Sequence, residues 1–370
     1  MQKINGLSKR NSGVDLLRII SMIMIVILHL LGHGGILKEY DIFTAGHYLT
    51  WVLEIIAYCA VNCYALISGY VGINSKFRYS NLLSLCINVV FYTLIITSLF
   101  GIFSPGSVNA QTFKKAVFPY AYNVYWYFAA YFCMYFFIPF FNHLINTLKK
   151  GEATALVISL IFVFSLLPTI VQSDISHTFK GYSALWLGIL YLIGAYIKKY
   201  DIGATVKKSK LITLYFVCIL INCFSKFFVE YGSVHLWKNP QNSNMLISYT
   251  SPTVLATAVI MLILFSKFRH GKTSEKIISF FAPLTFGVYL IHDEPLIRSN
   301  FITDKMTFLT ELNPALMIVS LIGISVAIWL VCSLIDKLRL EFFKLIKVKQ
   351  FCDKIIEIIS AKLSKSTQTH

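Results

Sequence analysis

The sequence predicts an all-α fold, a polytopic membrane bundle of about ten transmembrane helices with the N-terminus and the C-terminus both cytoplasmic. Three observations carry that expectation. Apolar runs of about 17 to 25 residues recur along the chain, long enough to cross a ~30 Å hydrocarbon core at ~1.5 Å per helical residue. Charged residues make up only 14% of the 370 positions, against roughly a quarter in soluble domains. Lys and Arg, finally, gather on alternate connections.

The runs fall at 15–33, 48–70, 80–103, 124–143, 154–172, 183–197, 211–229, 247–266, 279–296 and 314–335. A cytoplasmic N-terminus puts Lys3, Lys9 and Arg10, then Lys76 and Arg78, Lys149 and Lys150, the cluster from Lys198 to Lys210, and Lys267 to Lys276 inside, with the C-terminal tail. That arrangement places 24 Lys and Arg inside and 8 outside, leaving Arg18 in the membrane. Residues 1–335 are expected to form one transmembrane domain. Residues 336–370 read as a basic, partly amphipathic tail on the inner membrane surface, with Leu338, Phe342, Leu345 and Ile346 set among cations.

Composition narrows the function classes. The net charge of +16 follows from the inside bias, so nucleic acid is not an expected partner, whereas membrane lipids are. The eight cysteines lie mostly in apolar runs without a CxxC pair or ligand spacing; they read as buried hydrophobes, and no metal is expected. The first run is too long for a signal-peptide core and no small-residue cleavage site follows, so it is taken as a retained span. No internal repeat or inverted pair of broken helices of the transporter kind is visible.

Within that first run, DLLRIISMIMIVILHLLGH, Arg18 and His29 are eleven positions apart. At about 100° per residue they return to one side of the helix within roughly 20°, separated by roughly 16 Å along the axis. One stripe thus joins a cation at one depth to an imidazole at another. Polar residues in hydrocarbon are costly and usually functional; the structural alternative is a snorkelling arginine and a packed histidine.

The topology gives other polar residues a side. Glu54 sits two turns into the second span, at a depth like that of His29, and the ninth span ends in Tyr289-Leu-Ile-His292-Asp293-Glu294-Pro295. A histidine beside a carboxylate is a general-base arrangement. A structural ion pair for Glu54 and a solvated helix end for His292 to Glu294 are the alternatives. His33, His47, His177 and His235 read as interfacial or loop residues. At the opposite end, Ile67-Ser68-Gly69-Tyr70 and Gly72 precede Lys76 and Arg78, small residues that allow close backbone approach and cations that suit phosphate beside Arg18. The long connections 104–123 and 230–246, with Ser, Pro, Asn, Gln and aromatic residues, are suited to touching a polar substrate.

These residues together resemble the membrane-bound acyltransferase 3 family, the inner-membrane O-acetyltransferases of bacterial surface polysaccharides. Arg18 and His29 match its Arg-x10-His signature; Asn62-Cys-Tyr-Ala-Leu-Ile-Ser-Gly-Tyr70 resembles the end of its second span, and Phe77-Arg78 the basic loop that follows. Trp126-Tyr127 and Phe286-Gly-Val-Tyr-Leu-Ile-His292 are similar to its fourth- and ninth-span landmarks, and the likeness covers roughly residues 10–335. The resemblance implies a multi-pass protein of the bacterial cytoplasmic membrane that takes an acetyl group from cytoplasmic acetyl-CoA to a hydroxyl of a cell-surface or lipid-linked glycan. It further implies His29 as base with Glu54 or Asp293 orienting it, Arg18, Ser68, Lys76 and Arg78 holding the donor, and Trp126, Tyr127, His292 and Glu294 at the acceptor. Some members carry an appended extracytoplasmic hydrolase-like domain, whereas this sequence ends in a short basic tail; if it transfers the acetyl group directly, the catalytic groups are expected within the bundle. The competing classes are a transporter or flippase of a glycan intermediate and a non-catalytic sensor on the same scaffold. A membrane-bound O-acyltransferase of the unrelated type, with its catalytic histidine deep in a later span, finds no clear match.

Overall fold

The computed structural model describes residues 10–238 and 243–367; Lys3 and Lys9, counted above as cytoplasmic, lie outside them. Among the described residues every regular element is helical. The main helices are α1 (Ser12–Gly32), α2 (Ala45–Gly72), α3 (Tyr79–Phe103), the bent pair α4 (Trp126–Tyr135 and Ile138–Thr147), α5 (Lys150–Val171) and α6 (Ala184–Lys199). They continue as α7 (Lys208–Leu236), α8 (Pro252–Ser266), α9 (Lys272–His292), α10 (Pro314–Leu345) and α11 (Val348–Thr367).

The expected ten spans become seven helices long and apolar enough to cross a membrane, or eight when α4, bent by 57°, is taken as one broken span. The shortfall lies in α6 and α8, which have 16 and 15 residues. At ~1.5 Å per residue they reach roughly 24 and 22 Å, short of a ~30 Å core. α6 can stop short because it meets protein on all sides: residues 186–197 are buried without exception.

Asn62 sets where both short helices begin. Buried midway along α2, its side-chain amide donates to the Tyr249 carbonyl at 2.7 Å, and its Oδ1 accepts from the Trp186 indole N–H at 3.1 Å. The chain therefore enters α6 and α8 beside residue 62, about 25 Å along α2 from its first residue at ~1.5 Å per residue. Irregular backbone at such depth survives only when protein buries it or water reaches it. Further along, α6 locks to α2 through reciprocal close approaches: a Cβ on Gly69 would overlap the Tyr191 carbonyl, and one on Gly194 the Leu66 carbonyl.

α1 is the hub. The Asn11 side chain caps it by accepting from the N–H groups of Gly13 and Val14 at 3.0 and 3.2 Å, and the helix packs against α2, α8, α9 and α10. Around it α5, α7 and α10 form an outer rim with exposed Ile158, Phe162, Phe216, Phe224, Val319 and Val331, a surface suited to lipid. Helices of this length and composition are those of an integral membrane protein. Prolines mark the breaks: Pro139 opens the second half of α4, Pro168 follows a π-turn at Phe162–Leu166, and Pro283 lies in a 3-10 turn inside α9.

Three details differ from the sequence reading. The helix at the end of the expected membrane domain does not stop at 335. It runs on to Leu345, and Asp336 is buried within it, accepting from Tyr92 Oη and Arg339 NH2, each at 2.7 Å. Beyond it α11 sets Val348 and Cys352, with Phe343, against Leu83, Ile87 and Phe91 of α3. Lys226, counted on the external side, is buried inside α7 with its Nζ 2.6 Å from Glu230 Oε1 and 4.0 Å above the Trp51 ring. His47, read as interfacial, is buried too and holds Glu230 Oε2 at 2.7 Å, because a buried carboxylate needs more than one donor.

Candidate active site

The stripe predicted on α1 faces a cavity. Met22, Ile25 and His29 occupy it about one, two and three turns beyond Arg18 and line, with Leu28, a narrow cavity of about 40 Å³. Val61 and Tyr64 of α2, Trp126 and Tyr127 of α4, Tyr249, and Phe286 and Tyr289 of α9 complete its walls. Tyr64 Oη donates to the Arg18 carbonyl at 3.0 Å, tying α2 to the Arg18 end of the stripe.

A second stripe runs opposite. Tyr127, Tyr131 and Tyr135 follow at four-residue spacing on α4, with successive ring centroids 6.3 and 6.0 Å apart. Tyr135 Oη donates to the Arg78 carbonyl at 2.9 Å, and Tyr127 lines the cavity beside His29. Tyr64, bonded to the Arg18 carbonyl, has its ring 6.4 Å from that of Tyr127. A row of aromatic hydroxyls thus leads from the Arg78 loop past Arg18 to the histidine. Sequence reasoning singled out Tyr127 and missed the other two, although their spacing was visible.

The hydrogen bonds at the far end fix the state of His29. His292 Nδ1 faces the Val288 carbonyl at 2.7 Å, and a carbonyl can only accept, so His292 carries its proton on Nδ1. With that ring neutral, its Nε2 is an acceptor, and His29 Nδ1 lies 3.0 Å from it. His29 therefore donates through Nδ1. Its Nε2 keeps an unshared pair, the form a general base requires.

Asp293 completes the group. Its Oδ1 is 3.6 Å from His29 Nδ1 and accepts from Arg298 NH1 at 2.9 Å. Arg298, absent from the sequence reading, lies in a loop that folds back over the end of α1, where Asp304 N–H donates to the His33 carbonyl at 2.9 Å and Met306 N–H to that of Gly34 at 3.1 Å. His33 is exposed with its ring 5.3 Å from that of His29. Donor atoms of His29, His33 and Asp293 lie within 4.8 Å of one another, a spacing a metal ion could bridge, but Arg298 already sets a positive charge on the same carboxylate.

The remaining sequence candidates fall in three places. Glu294 caps the short turn after α9, its Oε2 accepting from Leu296 and Ile297 N–H at 2.7 and 3.1 Å. Glu54 is buried in α2, and among the described residues its Oε2 has no hydrogen-bond partner. Trp126 lies against Tyr182 and Tyr249, at 4.4 and 6.1 Å between centroids. At the other end Ser68 Oγ donates to the Tyr64 carbonyl at 3.0 Å, while Lys76 and Arg78 are exposed on the loop between α2 and α3. Arg18 itself is about a quarter exposed and reaches Asp15 at 3.4 Å, a carboxylate that Arg10 also engages.

Comparison with known proteins gives the family. A family model described as an acyltransferase domain matches residues 11–334. No curated protein and no solved structure matches the chain. That match spans the whole bundle from the cap of α1 to the last turns of α10, and the chain belongs to the acyltransferase 3 family.

Proposed function

We propose that this acyltransferase takes an acetyl group from acetyl-CoA on the cytoplasmic side and places it on a hydroxyl of a cell-surface or lipid-linked polysaccharide on the other side of a bacterial cytoplasmic membrane. The observation that carries the reading is the His29–His292–Val288 chain of contacts: with Nδ1 committed to His292, His29 has Nε2 to take a proton beside the cavity it lines.

A sugar hydroxyl is a poor nucleophile at neutral pH, and proton transfer to a positioned imidazole contributes typically ~10²–10⁴-fold. In the proposed step the hydroxyl proton passes to His29 Nε2 as the oxygen bonds to the thioester carbonyl carbon. The carbon–sulfur bond then breaks, and the thiolate recovers the proton from the imidazolium. Asp293, 3.6 Å from Nδ1, stabilises the imidazolium while it exists. Arg18, with Lys76, Arg78 and Ser68 at the same end, holds the donor phosphates, and the acyl arm lies along the Tyr135–Tyr131–Tyr127 row. This polarity requires cytoplasmic termini, as the Lys and Arg distribution favours.

Membrane vesicles of known orientation test the reading. Acetyl-labelled acetyl-CoA is supplied to the face bearing Arg78, and label is followed into glycan prepared from the source cells. Label should appear with the wild type and not with His29→Ala. A folded wild-type protein that never moves label would return the transporter or sensor classes.

A further inference from the structure

The structure holds a second, larger space. Where α6 and α8 begin beside Asn62, the segments leading into them line an open vestibule of about 590 Å³, within the ~300–1,000 Å³ usual for small-ligand sites. Its lining is mainly polar, with Gln172, Asp174, Lys180 and Asn244 on the walls and Tyr58 and Tyr182 as aromatic faces.

The wall is built to hold its shape. Gln172, His177, Phe179 and Lys180 all have φ near +50°, and Gly181 has φ of 101°. Such conformations persist only where surrounding bonds over-determine them. Here the Asp174 carboxylate accepts from Thr178 N–H at 3.0 Å, Thr178 Oγ1 at 2.8 Å and Lys180 N–H at 3.2 Å. Across the space, Ser165 Oγ donates to the Thr250 carbonyl at 2.6 Å, pinning the other rim to α5.

One aromatic layer separates the vestibule from the His29 cavity. Tyr58 and Tyr182 line the vestibule and Tyr249 the cavity, with Tyr249 stacked on Tyr58 at 4.9 Å and 5.0 Å from Tyr182. Polar walls over an aromatic floor match the chemistry of a carbohydrate, whose hydroxyl rim takes hydrogen bonds while its C–H faces lie on rings. Resting on the acyl-transfer reading, we infer that this vestibule seats the carbohydrate acceptor, with Tyr182 under a sugar ring, and that the acceptor hydroxyl meets His29 through the Tyr182–Tyr249–Trp126 layer. The connection 104–123 lines neither space; its Ala110–Val117 helix is docked on α3, where Thr93 Oγ1 donates to the Ala116 carbonyl at 2.7 Å.

The test uses the full-length protein in membranes, acetyl-CoA, and polysaccharide extracted from the source cells. Tyr182→Ala should raise the KM for polysaccharide at least fivefold, Tyr182→Phe should restore it, and Gln172→Ala, at an exposed position, should raise it severalfold. The KM for acetyl-CoA should stay at the wild-type value in all three, which also reports that they fold. An unchanged polysaccharide KM in both alanine variants, or a parallel rise in the donor KM, overturns the vestibule assignment. Absence of transfer by the wild type removes the acyl-transfer reading, and this inference with it.

Discussion

His29 Nδ1 lies 3.0 Å from His292 Nε2, and the opposite nitrogen of His292 is spoken for by the Val288 carbonyl, so the second histidine dictates which nitrogen of the first is basic. His292→Ala should therefore lower kcat by about 10²-fold, within the range of general-base contributions. Donor KM should be unaltered, and steady-state kinetics on purified protein make the comparison. His29→Ala should leave no measurable transfer from a protein of normal size-exclusion behaviour.

In the proposed step Asp293 has a different part from His292, because it meets an imidazolium only after the proton has moved. Asp293→Asn keeps the side-chain shape and removes the charge 3.6 Å from His29 Nδ1. A fall in kcat of about 10-fold is expected, from an interaction of ~1.4 kcal/mol lost in the transition state, with both KM values held. A variant with unchanged kcat would make Asp293 a partner of Arg298 alone.

Donor binding is assigned to the opposite end. Arg18→Ala and Arg78→Ala should each weaken acetyl-CoA, by about 10-fold per lost charge-assisted contact of ~1.5 kcal/mol. Equilibrium binding of the donor to detergent-purified protein measures this directly. Unchanged affinity in Arg78→Ala would leave that arginine a topological role.

The Lys226–Glu230–His47 group serves stability. With both Lys226 and Glu230 side chains almost wholly buried, Lys226→Met strips a buried carboxylate of one partner and should cost about 3–5 kcal/mol. Adding Glu230→Gln should recover most of that loss, because the uncompensated charge goes with it. Thermal unfolding of the single and double variants in one detergent gives the comparison.

Hydropathy and the eleven-residue spacing made the bundle, the α1 stripe and the convergence of His29 with the end of α9 legible in the sequence. The partners of those residues were not, because they depend on tertiary packing: Arg298 arrives by a loop folding back, and nothing in the run around His47 announces a lysine and glutamate on α7. The span count was overestimated for a plain reason. An apolar run buried by protein and one buried by lipid have the same composition, and α6 and α8 are short helices of the first kind.

That shortness bears on how the protein responds to its bilayer. A change in lipid thickness is felt by the helices whose sides meet lipid, here α5, α7 and α10, which can tilt to match it. α6, enclosed by its neighbours, begins where Asn62 anchors it, as does α8, whatever the thickness outside. The point at which these two helices start beside the His29 cavity is thus a dimension of the fold, set by hydrogen bonds and glycine contacts, and the same in a thin membrane as in a thick one.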